Sequence, residues 1–299
     1  MFFVPAFHQH LVQLDRAALT ITGYEHDLSL FAQWFEQRNG EPLTPGALTA
    51  TDGREYRQHL LTTAKLGPAT VNRRLAAVRA YGAWAAASDQ LDINPVAHIK
   101  NVAEQEHGPR WLTRPQQAAL VRAAEKLTRN ARTVAARQQA QRDETILILL
   151  LNTGLRISEL CALQRSDVVI SERKGTLRVR QGKGTRHRAI PLNAPARKVL
   201  WDWLKRPEAR SSPFVFVGKK GLPLQSSGVW RRLAEFGRLA KVAVTPHALR
   251  HTFAKNLINA GVTLEKVAAL MGHQSLNTTR LYTTPDVHDL EQAVATLND

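Results

Sequence analysis

The sequence predicts a mainly α-helical protein with one small antiparallel β-sheet, built as an N-terminal helical bundle followed by a larger α+β domain. Three observations predict it. Apolar residues recur at alternating steps of three and four along most of the chain, the spacing of one helix face. Clear period-two alternation occurs in one place, 176–192, and the helical period lapses altogether around 101–112.

The elements follow in order. Near Thr20 or Thr22 a helix opens that carries Tyr24, Leu28, Phe31 and Phe35 on one stripe and stops before Asn39-Gly40. A second starts at Thr51-Asp52 with Tyr56 and Leu60 inward. The third follows Gly67-Pro68, with Val71, Leu75, Val78 and Ala85 inward and Arg73, Arg74 and Arg79 outward as a basic face. Asn94-Pro95 breaks the pattern, so residues 1–100 form the first domain. Residues 101–112 are polar with a Gly-Pro pair and suit an interdomain linker; 113–299 form the second domain. There Thr113 caps a helix through Leu120 and Ala124, and an Ala/Gln/Arg-rich stretch from Lys126 to Arg142 reads as an exposed helix or a loop. From Glu144 to Leu151 the chain is apolar, a buried helix ending at Thr153-Gly154. Thr176–Arg180 and Thr185–Leu192 make a hairpin with Lys183 at its glycine-flanked tip and Arg178, Arg180, Arg186 and Arg188 available on its strands. The rest is helical, apart from a short strand at Pro213 to Val217. It ends in an amphipathic helix over 286–299 that follows Pro285 and aligns Leu290, Ala293, Val294 and Leu297.

Composition narrows the function. With 43% hydrophobic and 22% charged residues in 299, the chain is long enough for two cores of globular type. Its longest aliphatic run, Ile146 to Leu151, is too short to cross a bilayer, so no membrane partner is expected. Met1 to Pro5 lacks the basic flank of an export signal, which leads to the expectation of a cytoplasmic protein. One cysteine, Cys161, excludes an internal disulfide and a multi-cysteine metal site. The charge is +16, from 41 Lys+Arg against 25 Asp+Glu. Residues 1–100 hold 9 basic and 9 acidic side chains, so the remaining 32 and 16 carry the whole excess, and a polyanion such as nucleic acid is the leading partner.

Several residues in the basic part suit phosphate chemistry. Thr245-Pro246-His247-Ala248-Leu249-Arg250 combines an N-cap, a first-turn proline and a His and Arg three apart near a helix start, where backbone N–H groups favour an anion. Arg156 follows the Gly154 helix stop, with Glu159 three residues on to hold its guanidinium. Met271-Gly272-His273 marks another glycine terminus, and Tyr282, the only tyrosine after Tyr81, follows nine residues later among polar neighbours. His247, His251 and His273 also admit a zinc reading, but that leaves Arg156 and Arg250 unused and lacks a glutamate between the helix histidines.

The ordered set Arg156, Lys183, His247-x-x-Arg250, His273 and Tyr282 resembles the tyrosine recombinases, the phage integrase family. The segments 153–160, 247–254 and 270–273 look like its motif boxes, while Tyr24-x-x-Asp27-Leu28-x-x-Phe31 and Thr70-x-x-x-Arg74-Leu75 are similar to its core-binding domain. The resemblance implies a SAM-like core-binding bundle and a tyrosine recombinase catalytic domain. It implies a site-specific recombinase of Xer-like, two-domain type that cuts and rejoins double-stranded DNA at recombination sites, through a 3′-phosphotyrosine and a Holliday junction, with no metal or other cofactor.

In that reading Arg156 and Arg250 neutralise the phosphate, and Tyr282 attacks it. His247 takes the tyrosine's proton, Lys183 protonates the departing 5′-oxygen, His273 hydrogen-bonds the phosphate, and Glu159 orients Arg156. Arg73, Arg74, Arg79, Arg178, Arg180, Arg186 and Arg188 are expected to contact DNA. The helix over 286–299 passes to the next protomer of a homotetramer on two duplexes, with a related recombinase or accessory protein as a further partner. A type IB topoisomerase-like enzyme and a non-catalytic DNA-binding protein are the alternatives.

Overall fold

A computed structural model describes residues 4–104, 110–180, 187–207, 212–218, 221–273 and 276–282. The chain divides into two units, Met1–Glu106 and His107–Asp299, each with its own core.

In the first unit α1 (Pro5–Gln13) precedes α2 (Ala18–Asn39), α3 (Ala50–Thr62) and α4 (Pro68–Ala87). The spacing of apolar residues does not announce α1, because it buries only Phe7 and Leu11, one turn apart among polar neighbours. Phe7 meets the Tyr81 ring edge-on at 5.7 Å, so α1 is held by tertiary packing on α4. Thr49 and Asp52 form a reciprocal cap at the start of α3. Beyond α4 the chain folds back along it: Asn72 donates to the Val102 carbonyl at 2.9 Å and accepts from the Val102 N–H at 2.7 Å.

The second unit begins with α5 (Arg114–Asn130), capped by Thr113 as predicted, and α6 (Val134–Thr153). The Ala/Gln/Arg stretch is therefore helix on both sides of a short break, with Thr133 capping α6 at the Ala136 N–H. The apolar half of α6 supplies Ile146, Leu147, Leu149 and Leu150 to the core. Then come α7 (Ile157–Ala162), a 3-10 turn, and strands β1 (Val168–Ile170), β2 (Gly175–Arg180) and β3 (His187–Pro191), antiparallel in the order β1-β2-β3. Strand β1 has three residues, too few to show a period. Helices α8 (Ala194–Leu204), α9 (Ser226–Ala240), α10 (Pro246–Asn259), α11 (Leu264–Met271) and α12 (Leu276–Arg280) follow. α6 packs against α5, α8 and α10. Pro213 to Val217 is not a strand; it makes two isolated bridges, Gln164 with Phe214 and Val217 with Pro223.

The hairpin tip with Lys183 and Arg186, and the helix expected over 286–299, lie outside the described residues. Among the described residues no helix is long and apolar enough to cross a membrane.

Candidate active site

The site is built where two helix stops and one helix start meet. α6 ends at Gly154 with φ +60°, a left-handed conformation that lets the chain turn and present Arg156 as the N-cap of α7. Glu159, one turn into α7, accepts the Arg156 backbone N–H at 2.8 Å with Oε2 and its guanidinium at 2.9 Å with Oε1. α10 starts as predicted, with Pro246 in its first turn and Thr245 accepting the Ala248 N–H at 3.0 Å. This aims Arg250, 5% exposed, at the α6 stop, where it donates to the Gly154 carbonyl. α11 ends at Gly272, again left-handed at φ +66°, and His273 follows.

The C-terminal carbonyls of α11 receive three guanidiniums. Arg188 donates to Leu270 at 2.9 Å, Arg250 to Met271, and Arg156 reaches Gly272 at 3.5 Å. A helix end leaves its last carbonyls without intrahelical partners and concentrates partial negative charge there, which suits cations. Three guanidiniums against the single carboxylate of Glu159 leave two positive charges in excess, and Arg156 remains 42% exposed at the mouth. This is an anion site with an open side.

The remaining side chains surround it. His273 shares a hydrogen bond of 2.9 Å between Nδ1 and Thr279 Oγ1, and its ring lies nearly parallel to Tyr282 at 6.3 Å. The Tyr282 hydroxyl is 2.8 Å from Nδ1 of His251, and the residue is 2% exposed, packed with Phe253, Ala254, Val267 and Met271. His247, one turn before His251 on α10, is exposed, with its ring 6.2 Å from that of His251.

Burial, with the Arg250 and Arg156 charges adding to it, pushes His273 down to about 4. Burial and the neighbouring His247 and Arg250 do the same to His251. Both imidazoles are neutral near pH 7. Burial and Arg156 bring Arg250 down to about 10, still cationic. Burial raises the Tyr282 hydroxyl more than Arg250 and Arg156 lower it. In Glu159 burial is outweighed by hydrogen bonds from Arg188 and the Arg156 backbone, leaving it below the usual carboxylate range.

Arg156, Glu159, Arg250, His273 and Tyr282 are thus brought together, with His247 at the edge; Lys183 lies outside the described residues. Two neighbours were not given these places by the sequence. His251 entered only as a zinc ligand, although its four-residue spacing from His247 already put it on the same helix face. Arg188 was expected to contact DNA from its strand, and the structure corrects this. It pairs across the sheet with Val179, and directly opposed residues share a face, so Arg188 points inward with Leu177 and Ile190 and is 8% exposed. Among the described residues no three His, Cys, Asp or Glu side chains gather as a metal would require.

The other expected DNA contacts fall elsewhere. Arg178 and Arg180 are exposed on β2, Arg180 paired with Asp167 at 2.8 Å, and Arg186 is outside the described residues. In the first unit Arg73 is paired with the fully buried Asp27, and Arg79 donates to the Ile99 carbonyl and Asn101. Arg74 is half-buried beside Tyr56. A cleft of about 820 Å³ in the second unit, lined by Arg142, Trp203, Arg231 and Arg232 among others, contains none of the site residues.

The chain matches the Phage integrase family over residues 110–288 and the Phage integrase, N-terminal SAM-like domain, over 4–89. It is 32% identical over 286 residues to Tyrosine recombinase XerC of Corynebacterium glutamicum, covering 93% of this chain and 85% of that one. It is 42% identical over 160 residues to Tyrosine recombinase XerA of Pyrococcus furiosus, covering 52% and 55%. Its fold is similar to that of the XerH site-specific recombinase bound to palindromic difH substrate, with a TM-score of 0.74, 21% identity and coverage of 95% and 82%. The chain belongs to the phage integrase family, as an Xer-like tyrosine recombinase of two domains. Enzymes of this class cleave and rejoin DNA, and so does this one.

Proposed function

We propose that the chain recombines double-stranded DNA at specific sites by tyrosine transesterification, without a metal ion. The observation that carries this reading is the convergence of Arg156, Arg250, His273 and Tyr282 from separate segments onto one anion site. A phosphodiester attacked by a fifth oxygen gains charge on its nonbridging oxygens, and guanidiniums fixed in advance stabilise that charge. Arg156 supplies the exposed contact and Arg250 the buried one, while His273, neutral near pH 7, hydrogen-bonds a phosphate oxygen.

The Tyr282 hydroxyl sits against His251, and the arginine mouth is where Arg156 is exposed, so to attack a phosphate the hydroxyl turns toward that mouth. The exposed imidazole beside His251 on α10 is His247, which we assign as proton acceptor, with His251 holding the hydroxyl in its buried position. Attack forms the phosphotyrosine bond at the 3′ phosphate and breaks the bond to the 5′-oxygen, which takes a proton from Lys183. A 5′-hydroxyl from the partner duplex reverses the step, through a Holliday junction. Arg73, Arg74, Arg79, Arg178, Arg180 and Arg186 are assigned to the DNA backbone, and the segment over 286–299 to a neighbouring protomer of a homotetramer. The working compartment is the one that holds DNA, the cytoplasm. Deleting residues after Asp286 is expected to abolish recombination and to spare single-site binding.

Covalent trapping tests the chemistry. Nicked duplexes from DNA flanking the gene, incubated in EDTA, are expected to give a 3′-linked adduct with the wild type and none with Tyr282→Phe. Specific binding of a duplex with no adduct would overturn the catalytic reading in favour of a DNA-binding protein.

A further inference from the structure

Arg188 is buried in the site, yet the chemistry above assigns it no step. Its Nη1 donates to Glu159 Oε1 at 2.9 Å, its Nη2 to Oε2 at 2.7 Å, and its Nε to the Leu270 carbonyl at 2.9 Å. All three donor nitrogens are therefore committed to protein acceptors, and at 8% exposure the side chain is almost wholly withdrawn from solvent. A planar guanidinium meets such a fork of acceptors, whereas an ammonium would act as a point charge.

We infer that Arg188 is a positioning residue of the phosphate site: it neutralises Glu159, so that Arg156 and Arg250 meet the phosphate with their charges uncancelled, and it fixes the end of α11 from which His273 projects. The inference rests on the phosphoryl-transfer reading above.

Counting charges shows why Arg188 matters to the reaction rather than to folding alone. Glu159 is bound by both Arg156 and Arg188. With Arg188 replaced by a neutral side chain, Glu159 cancels Arg156, and Arg250 alone is left in excess. With Arg188 present the excess is two. A phosphodiester carries one negative charge, and its pentavalent transition state carries about two on the nonbridging oxygens. The second positive charge therefore stabilises the transition state more than the bound substrate, which is the condition for acceleration.

The test compares the wild type, Arg188→Met, Arg188→Lys, Glu159→Gln and the double variant Arg188→Met/Glu159→Gln in the full chain. The rate of adduct formation is measured on saturating nicked duplex, and the affinity for inorganic orthovanadate by calorimetry. Arg188→Met is expected to slow adduct formation at least thirtyfold, with Arg188→Lys between it and the wild type. The double variant removes the uncompensated carboxylate, restores an excess of two charges, and is expected to recover at least tenfold over Arg188→Met. A purely structural role predicts instead that the rate of every variant, corrected for the folded fraction measured by urea unfolding, equals that of the wild type, and that result overturns the inference. A double variant no faster than Arg188→Met, or an Arg188→Met rate within threefold of the wild type, overturns the inference. If the wild type itself forms no adduct, the recombinase reading is what fails, and the vanadate titration decides for Arg188. Binding tenfold weaker in Arg188→Met and restored in the double variant upholds its role; unchanged binding overturns it.

Discussion

Replacing Gly154 by alanine strikes the helix stop and the arginine site at once. Gly154 has φ +60°, and a Cβ there would lie 2.4 Å from Phe253 Cδ1 and 3.0 Å from Met271 Sδ. Left-handed backbone costs a residue with a Cβ about 1 kcal/mol relative to glycine. The close approach adds about 1–3 kcal/mol, because Phe253 and Met271 are themselves buried and packed with Tyr282. The total is about 2–4 kcal/mol, a large share of the stability of an ordinary domain.

Gly261 separates the two contributions. It has φ +77° but nothing within 4 Å of a Cβ, so Gly261→Ala should lose only the backbone part, about 1 kcal/mol. Urea unfolding followed through the transition of the second unit measures both. Because the Gly154 carbonyl accepts from Arg250, and Phe253 packs against Tyr282, the adduct rate of Gly154→Ala should also fall at least tenfold. Equal losses in the two variants would refute the packing argument. A Gly154→Ala protein with the wild-type adduct rate would refute the link between the α6 stop and the chemistry.

Three further outcomes are expected. His247→Gln should slow adduct formation by about 10²–10⁴, the usual range for loss of a general base, and His251→Gln by at least tenfold less; the reverse order would move the proton step to His251. Folded-state values of about 4 for His251 and His273, against 6.5 unfolded, mean that the unfolded chain binds more protons between these limits. Stability therefore falls as pH drops from 6.5 toward 4. The two together cost on the order of 2 kcal/mol after solvent screening, and a His251→Gln/His273→Gln protein that loses as much as the wild type over that window would contradict this. Asp143, 4% exposed, pairs with Arg142 at 2.7 Å and Arg232 at 2.8 Å, so Asp143→Ala leaves Arg142 without its carboxylate and Arg232 with Glu235 alone. A loss of about 3 kcal/mol is expected in thermal unfolding, and one below about 1 kcal/mol would show the cluster to be solvated.

Where a residue announces itself by its own spacing or conformation, the sequence shows it. Gly154 and Gly272 mark helix stops because glycine suits left-handed backbone, and Thr113 and Thr245 mark starts because their hydroxyls satisfy the first N–H groups. Gly154, Thr245 and Gly272 already order Arg156, Arg250 and His273 around two glycine corners. What depends on partners far along the chain is hidden. Helix α1 forms because Phe7 meets Tyr81 and Trp84, more than seventy positions away, and its own nine residues carry too little apolar pattern. Arg188 belongs to the interior because it opposes Val179 and shares a strand face with Ile190, but the carboxylate that makes a buried guanidinium possible there, Glu159, is 29 positions away. The three-residue β1 is visible only through its pairing with β2.

The three arginines also show how the chain keeps its site rigid before any phosphate arrives. Long guanidinium side chains lose considerable rotamer freedom when ordered, and a site that orders them only on binding would spend substrate affinity on it. Here the ordering is done by folding. The last carbonyls of α11 need donors, Glu159 needs cations, and Arg156, Arg188 and Arg250 satisfy both needs at once. The helix end and the carboxylate together hold three like charges close to one another, an arrangement their mutual repulsion would otherwise oppose. An incoming phosphate then meets donors already in place, which is the condition under which electrostatic stabilisation lowers a barrier rather than merely tightening binding.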